Sequence, residues 1–335
     1  MTRNFQEFLL EYKKEISSNK IYTDKQEELK NSVIKQILFI IIISISVGVS
    51  ACFFISPFVG ISLMLLIAAY TTSVIPYAER EYKKFIKTKL HPKLISLIGN
   101  IRYSKYCIDR CEISNCGLFR ETDNYSFSQS SDDEFEGEYK GINFKISETH
   151  ISYSNGETLF SGIMIIFDYN KKILHPCCVS DRKFIDKKQQ ASRVNTSNQG
   201  EGLVLLLIFL WDIIVSIKKL RRKRKEKKRI TLEDPLFMKR FIVEADDEIE
   251  ARYLLTPSFM ERFLDFKTKF KADSISCSFY DNKFMVLIST DKDLFETGTL
   301  FQNLDDPEFI IDFYDEAATV FNMIDYFKLD EKTGL

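Results

Sequence analysis

From Gln36 to Ala78 the chain reads QILFIIIISISVGVSACFFISPFVGISLMLLIAAYTTSVIPYA, without one charged side chain. A single helix of that length would reach ~65 Å, about twice the ~30 Å hydrocarbon core of a bilayer. Two spans of ~20 residues fit instead. The break belongs near Ser56-Pro57, because proline lacks the N–H that a continuing helix donates. The expected transmembrane hairpin occupies 34–76, with helices over about 34–54 and 58–75, the second stopped by Pro76 and then Glu79-Arg80-Glu81. Ser44, Ser46, Gly48 and Ser50 are small and let two helices approach closely. The competing reading is a buried soluble hairpin, but soluble helices rarely go uncharged for so long.

Both flanks are basic. Lys13, Lys14, Lys20, Lys25, Lys30 and Lys35 precede the pair, and Arg80, Lys83, Lys84, Lys87, Lys89 and Lys93 follow it. A hairpin puts both flanks on one side, and the positive-inside tendency makes that side cytoplasmic. Residues 1–33 place Phe5, Phe8, Leu9, Tyr12 and Ile16 at helical spacing, which predicts an amphipathic helix there. The first thirty residues are polar and charged, unlike a secretory signal. The cysteines are seven: Cys52, Cys107, Cys111, Cys116, Cys177, Cys178 and Cys277. An odd number with an adjacent pair does not read as a disulfide framework, and free thiols fit a reducing compartment.

The remainder predicts an α+β fold with a mainly antiparallel sheet, in two soluble halves, 77–185 and 230–335. Charge balances, at 47 basic and 48 acidic residues, so global charge names no partner, while 29 Phe and 15 Tyr supply aromatic cores. Ile142–Ile146 and Ile151–Tyr153 alternate with period two, Asn155-Gly156 reads as a hairpin turn, and Gly162–Phe167 reads as a buried strand. Arg120–Glu134 is polar and reads as a surface loop, with Asp132, Asp133 and Glu134 solvated rather than holding a cation. In the second half, Phe241–Val243 is an expected strand and Glu248–Leu255 a helix. Thr256-Pro257 caps the next helix, whose apolar face is Phe259, Met260, Phe263, Leu264 and Phe266. Ser274–Thr290 folds as a hairpin around Asp281-Asn282-Lys283, and Phe309–Phe327 as an amphipathic helix. Each half has few strands, so the two are expected to pack together.

Between the halves, 186–229 carries a polar stretch, the apolar Leu203–Ile217, and a basic run. The run comprises Lys218, Lys219, Arg221, Arg222, Lys223, Arg224, Lys225, Lys227, Lys228 and Arg229, interrupted by Glu226. It has neither the interleaved aromatics nor the fold of a nucleic-acid site, so no nucleic acid is expected. Because it follows an apolar segment, it reads as a membrane-surface contact for anionic lipid headgroups. Leu203–Ile217, a helix of ~22 Å at most, is too short to span and carries Asp212. It is expected to lie in the membrane plane, with a soluble core helix as the alternative.

Phe237–Val243 and then Glu250–Arg262 resemble the bacterial domain-of-unknown-function family 3137. Ser114–Phe119, Asp133–Gly141, Phe144–Glu148 and Gly162–Phe167 follow the same family pattern in the same order. The resemblance runs from about Tyr77 to the end, and paired helices before the soluble region are usual in that family. Leu203–Ile217 and the basic run depart from its linker. The resemblance implies a multi-pass protein of a bacterial inner membrane and carries no activity.

Chemical motifs are few. There is no phosphate-cradling glycine loop and no nucleophile elbow, and the histidines are His91, His150 and His175. Cys107, Cys111 and Cys116 with His175-Pro176-Cys177-Cys178 would be the soft-metal candidates, but the spacing matches no zinc pattern, and buried thiols are the preferred reading. No cofactor, metal or catalytic residue is therefore expected. Arg252 pairing with Glu248 accounts for the Arg252–Pro257 motif without a ligand. The expected function is a membrane-anchored cytoplasmic binding, scaffold or sensory module, with the bilayer and a membrane protein as partners. The alternative is a membrane-bound, hydrolase-like enzyme acting through carboxylates.

Overall fold

The computed structural model describes residues 4–54, 56–104, 108–119, 127–153, 156–186, 227–269, 272–290, 300–302 and 306–329. They form two compact units, Met1–Asn100 with Phe295–Ala318, and Ile101–Leu294 with Thr319–Leu335.

In the first unit, helix α1 (Phe5–Tyr12) starts where Asn4 Oδ1 accepts the Glu7 N–H at 2.9 Å, satisfying one of the donors that a helix start leaves free. A π-helical turn, Lys13–Ser17, leads into α2 (Lys20–Phe54). The next helix, α3 (Pro57–Phe85), begins with Ser56 as its cap, Oγ accepting the Val59 N–H at 3.3 Å, and Pro57 in the first turn. The break thus falls at Ser56-Pro57. Two boundaries differ from the sequence reading. α2 begins at Lys20 rather than near 34, because nothing between Lys20 and Lys35 interrupts a helix, and 1–33 is correspondingly two helices. Pro76 lies inside α3 instead of ending it. Proline removes one interior hydrogen bond, at about 3 kcal/mol, but does not forbid the turns beyond it.

The polar ends of these helices are packed. Phe8, Tyr12 and Ile16 are wholly buried, with Val33, Tyr82, Ile86, Leu90 and Leu94. A second π-helical turn, Ile86–Leu90, and α4 (His91–Ile98) supply the last of these. Phe5 and Phe8 each lie 5.3 Å from Tyr314, in the part of the final helix Pro307–Tyr326 that belongs to this unit. Gln26 Nε2 donates to the Leu300 and Gln302 carbonyls at 3.0 and 2.5 Å.

The second unit is an α+β fold around a nine-stranded sheet whose ladders are all antiparallel among the described residues. Its strands are β1 (Ile101–Tyr103), β2 (Phe127–Tyr139), β3 (Ile142–Tyr153), β4 (Thr158–Asp168), β5 (Cys177–Asp181), β6 (Lys228–Ile230), β7 (Phe241–Ala245), β8 (Ser274–Tyr280) and β9 (Lys283–Ser289), in the order β1-β2-β3-β4-β9-β8-β5-β7-β6. Strands from both sides of 186–229 therefore share one sheet. β4 is an inner strand between β3 and β9, and its continuous apolar stretch follows from burial on both faces. The β8–β9 turn is Asp281-Asn282, both at positive φ, the geometry that matches strand twist in a two-residue hairpin.

One sheet face carries Ile151, Met164, Ile166, Met285 and Leu287, packed with Ile113, Cys116 and Phe119. α5 (Arg110–Asn115) supplies Ile113. On the other face Phe279 and Phe284 meet α8 (Pro257–Lys269) through Phe259, and Phe284 meets Phe327, just past the end of α9 (Pro307–Tyr326). Phe237 of α6 (Pro235–Arg240) extends the aromatic cluster through Phe263, and α7 (Glu248–Leu254) buries Ala251 and Leu254. Phe259 of α8 lies 5.5–6.0 Å from the rings of Phe263, Phe279, Phe284 and Phe327. Caps set these helices. Asp234 Oδ1 accepts the Leu236 and Phe237 N–H groups at 2.8 and 3.0 Å, and Thr256 Oγ1 accepts the Phe259 N–H at 3.3 Å.

Candidate functional site

The apolar parts of α2 and α3 are bare. Phe39, Ile42, Ile45, Val49, Ile61 and Leu65 are exposed, and Phe53 and Phe58 are 85% and 86% exposed, whereas the polar ends of the same helices bury theirs. A monomeric soluble protein seldom displays apolar surface on that scale. Lys20–Ser50 is the one described stretch long and apolar enough to cross a membrane. The contact between the helices uses Ser44, whose Oγ donates to the Met64 carbonyl at 3.4 Å, and Gly48, which faces Met64. A Cβ on Gly60 would stand 2.7 Å from the Gly48 carbonyl. Ser46 and Ser50 are exposed, and Ser50 turns its hydroxyl back to the Ser46 carbonyl at 2.8 Å, so they are not on this seam.

Of the basic run, Lys218, Lys219, Arg221, Arg222, Lys223, Arg224 and Lys225 lie outside the described residues, as does Leu203–Ile217. Lys228 and Arg229 are exposed on β6. Lys227 is half-buried, and its Nζ donates to Cys178 Sγ at 2.9 Å. Charge alone hid both the strand and this inward turn.

The cysteines are divided. Cys107 lies outside the described residues, Cys111 is exposed, and Cys116, Cys177, Cys178 and Cys277 are buried. Burial pushes the Cys116 thiol up to about 12, with Cys178 adding to the shift, and raises Cys177 and Cys277 as well. His175 points elsewhere, to Glu250 Oε2 at 2.8 Å. Among the described residues no three His, Cys, Asp or Glu side chains are grouped to hold a metal.

The acidic trio is not a solvated loop. It lies in β2 at a bulge where the register to β3 shifts between Asp132 and Phe135. Asp133, at φ +45°, and Glu134 are buried, and Ser147 Oγ donates to Glu134 Oε1 at 3.3 Å. A bulge adds a residue to one strand and breaks the period-two pattern, so Asp133, Glu134 and Phe135 are buried in succession while Asp132 stays exposed. Arg252 pairs with Glu248 at 2.8 Å and with Glu233, and donates to the Thr231 carbonyl at 3.0 Å, so capping and pairing account for its motif.

The sequence reading missed a buried ion pair. Asp181 ends β5 and Lys267 nearly ends α8, with Nζ 3.0 Å from Asp181 Oδ2 and side chains only 8% and 3% exposed, lysine first. Arg240 stands at 3.6 Å, and the Lys183 N–H donates to Asp181 Oδ1 at 3.0 Å. Burial lowers the Lys267 pKa, the bond to Asp181 opposes this, and Arg240 and Lys183 lower it further. A signal existed: Lys267 follows Phe259, Met260, Phe263 and Phe266 on the buried stripe of α8.

A family model described as a protein of unknown function, DUF3137, matches residues 158–329. It begins well after Tyr77, so the span matched is narrower than the resemblance read from the sequence. Among curated proteins and solved structures nothing matches the chain.

Proposed function

We propose, from the premise that the chain belongs to the DUF3137 family, that it is a membrane-anchored binding or scaffold module of a bacterial inner membrane, its soluble units in the cytoplasm. The observation that carries this reading is the reversal along α2 and α3. Their polar ends are packed in a core, while Phe39, Ile42, Phe53, Phe58 and Leu65 are bare. Bilayer hydrocarbon is the medium that makes such a surface favourable, at roughly 25 cal/mol per Å² removed from water. In this reading both helices span as a hairpin, and the basic flanks orient it with both ends inside. The exposed members of the basic run approach anionic headgroups, at ~1 kcal/mol per cation near the surface.

The test uses the full-length chain in cells. Membranes washed with alkaline carbonate should retain it. An impermeant maleimide should fail to label Cys111 in intact cells and succeed after lysis. Carbonate release would refute the anchor, and labelling of Cys111 from outside would refute the orientation.

A further inference from the structure

Lys227 belongs to the basic run yet turns its amine toward the sheet, where Nζ lies 2.9 Å from Cys178 Sγ. Gly117 makes the room, since a Cβ there would fall on Lys227 Nζ and stand 3.3 Å from Cys178 Sγ. On its other side the sulfur is held by the Cys116 carbonyl at 3.3 Å and Ser278 Oγ at 3.5 Å. Cys178 is 1% exposed, and Lys227, only half-buried, is the member of the pair that reaches solvent. The nitrogen–sulfur separation is close to the span of one bridging oxygen, whereas a direct nitrogen–sulfur bond would require the atoms to close by more than an ångström.

We infer that Cys178 and Lys227 form a modification site at which dioxygen installs a covalent N–O–S bridge. One dioxygen is consumed. Its O–O bond breaks, and one oxygen forms the new N–O and S–O bonds. The other oxygen leaves as water, carrying one hydrogen from the amine and one from the thiol. Nitrogen and sulfur each give up two electrons, and dioxygen takes four. The bridge ties β5 to the residue before β6. Thiol reductants return the amine, the thiol and water.

The experiment is intact-mass analysis of the full-length chain in detergent, fully reduced and then held in air or under argon. The bridge adds an oxygen and removes two hydrogens, a gain of about 14 Da in air and about 16 Da under ¹⁸O-labelled dioxygen. The gain should reverse with dithiothreitol and be absent under argon. It should also be absent in Lys227→Arg and Cys178→Ser, and persist in Cys116→Ser and Cys177→Ser. Peptide mapping should join Cys178 to Lys227. Lys227→Arg keeps the cation, and an unchanged melting curve for it shows that the site is intact. An unchanged mass in air would overturn the inference. So would a loss of about 2 Da, the mark of a disulfide or a direct nitrogen–sulfur bond, or oxygen additions that persist in Lys227→Arg.

Discussion

Replacing Asp181 by Asn should destabilise the second unit by about 3–5 kcal/mol, the usual consequence of leaving one charge of a buried pair uncompensated. The two groups are 3.0 Å apart, and at an effective dielectric of ~20 their attraction is about 5 kcal/mol. Asn keeps the shape and the acceptor for the Lys183 N–H, so the change isolates charge. The assay is a circular-dichroism melt of the full-length chain in detergent. For a unit of this size the shift is about 2–4 °C per kcal/mol, hence a Tm lowered by roughly 6–20 °C. Adding Lys267→Met should restore most of the loss, because methionine fills the space of the stem without a charge to strand. The pH dependence has a definite sign. The folded pKa of Lys267 lies below 10.5, so between that value and 10.5 the folded chain holds fewer protons than the unfolded one, and stability from this group rises with pH. Without Asp181 the opposing interaction is gone and the window extends lower. The Asn variant's deficit relative to the parent should therefore shrink as pH rises toward about 10. A Tm within about 2 °C of the parent, or no rescue by Lys267→Met, would refute the reasoning.

Gly162→Ala should destabilise by about 1–3 kcal/mol or more in the same melt, because φ is +143° and a Cβ would strike the Ile288 carbonyl across the β4–β9 ladder; an unchanged Tm would contradict that contact. Asp234→Ala should lower stability by about 1 kcal/mol through the loss of two cap acceptances, while Asp234→Ser should recover most of it. Cys116 is raised from 9.0 to about 12, so the folded chain keeps its proton after the unfolded chain has lost it, and stability falls as pH climbs through that interval. Cys116→Ala should flatten this alkaline loss, and an identical slope would remove Cys116 as its source. Full-length chain carrying Arg221→Gln, Arg222→Gln and Arg224→Gln should photo-crosslink less to anionic lipid in vesicles and lose its salt dependence; equal crosslinking would remove the run from the membrane surface.

What could be read in advance had a local chemical cause. Ser56-Pro57 ends one helix and caps the next through bonds within a few residues, and Asp281-Asn282 makes a turn by its own φ preference. Gly162–Phe167 is apolar throughout because both faces are covered. What was misread, or not read at all, has a different cause. Asp133 and Glu134 are inward because of a bulge fixed by register with β3, which their own neighbours do not reveal. β5 is five residues long and follows a proline, and it earns strand status only from β7 and β8 on either side. Lys228-Arg229-Ile230 pairs with β7 despite its charge, since an edge strand tolerates exposed cations. The Asp181–Lys267 pair joins positions far apart in sequence, although the place of Lys267 on the α8 stripe could have been counted. The candidate membrane surface was legible from its apolar run. The inward turn of Lys227 was not, because nothing in a basic run distinguishes the residue that faces a sulfur.

The strand order also sets a timetable for biosynthesis. β1 to β4 pair each strand with one nearby in sequence and can assemble as they emerge from the ribosome, but β4 finds its other neighbour only in β9. About a hundred residues must be polymerised in between, which at ~5–20 residues per second leaves the apolar edge of β4 open for on the order of ten seconds. During that interval α2 and α3, which precede the sheet, are already complete. A nascent chain fastened at the bilayer by those helices would wait with its unfinished edge held at a membrane surface, away from the bulk where another copy could pair with it.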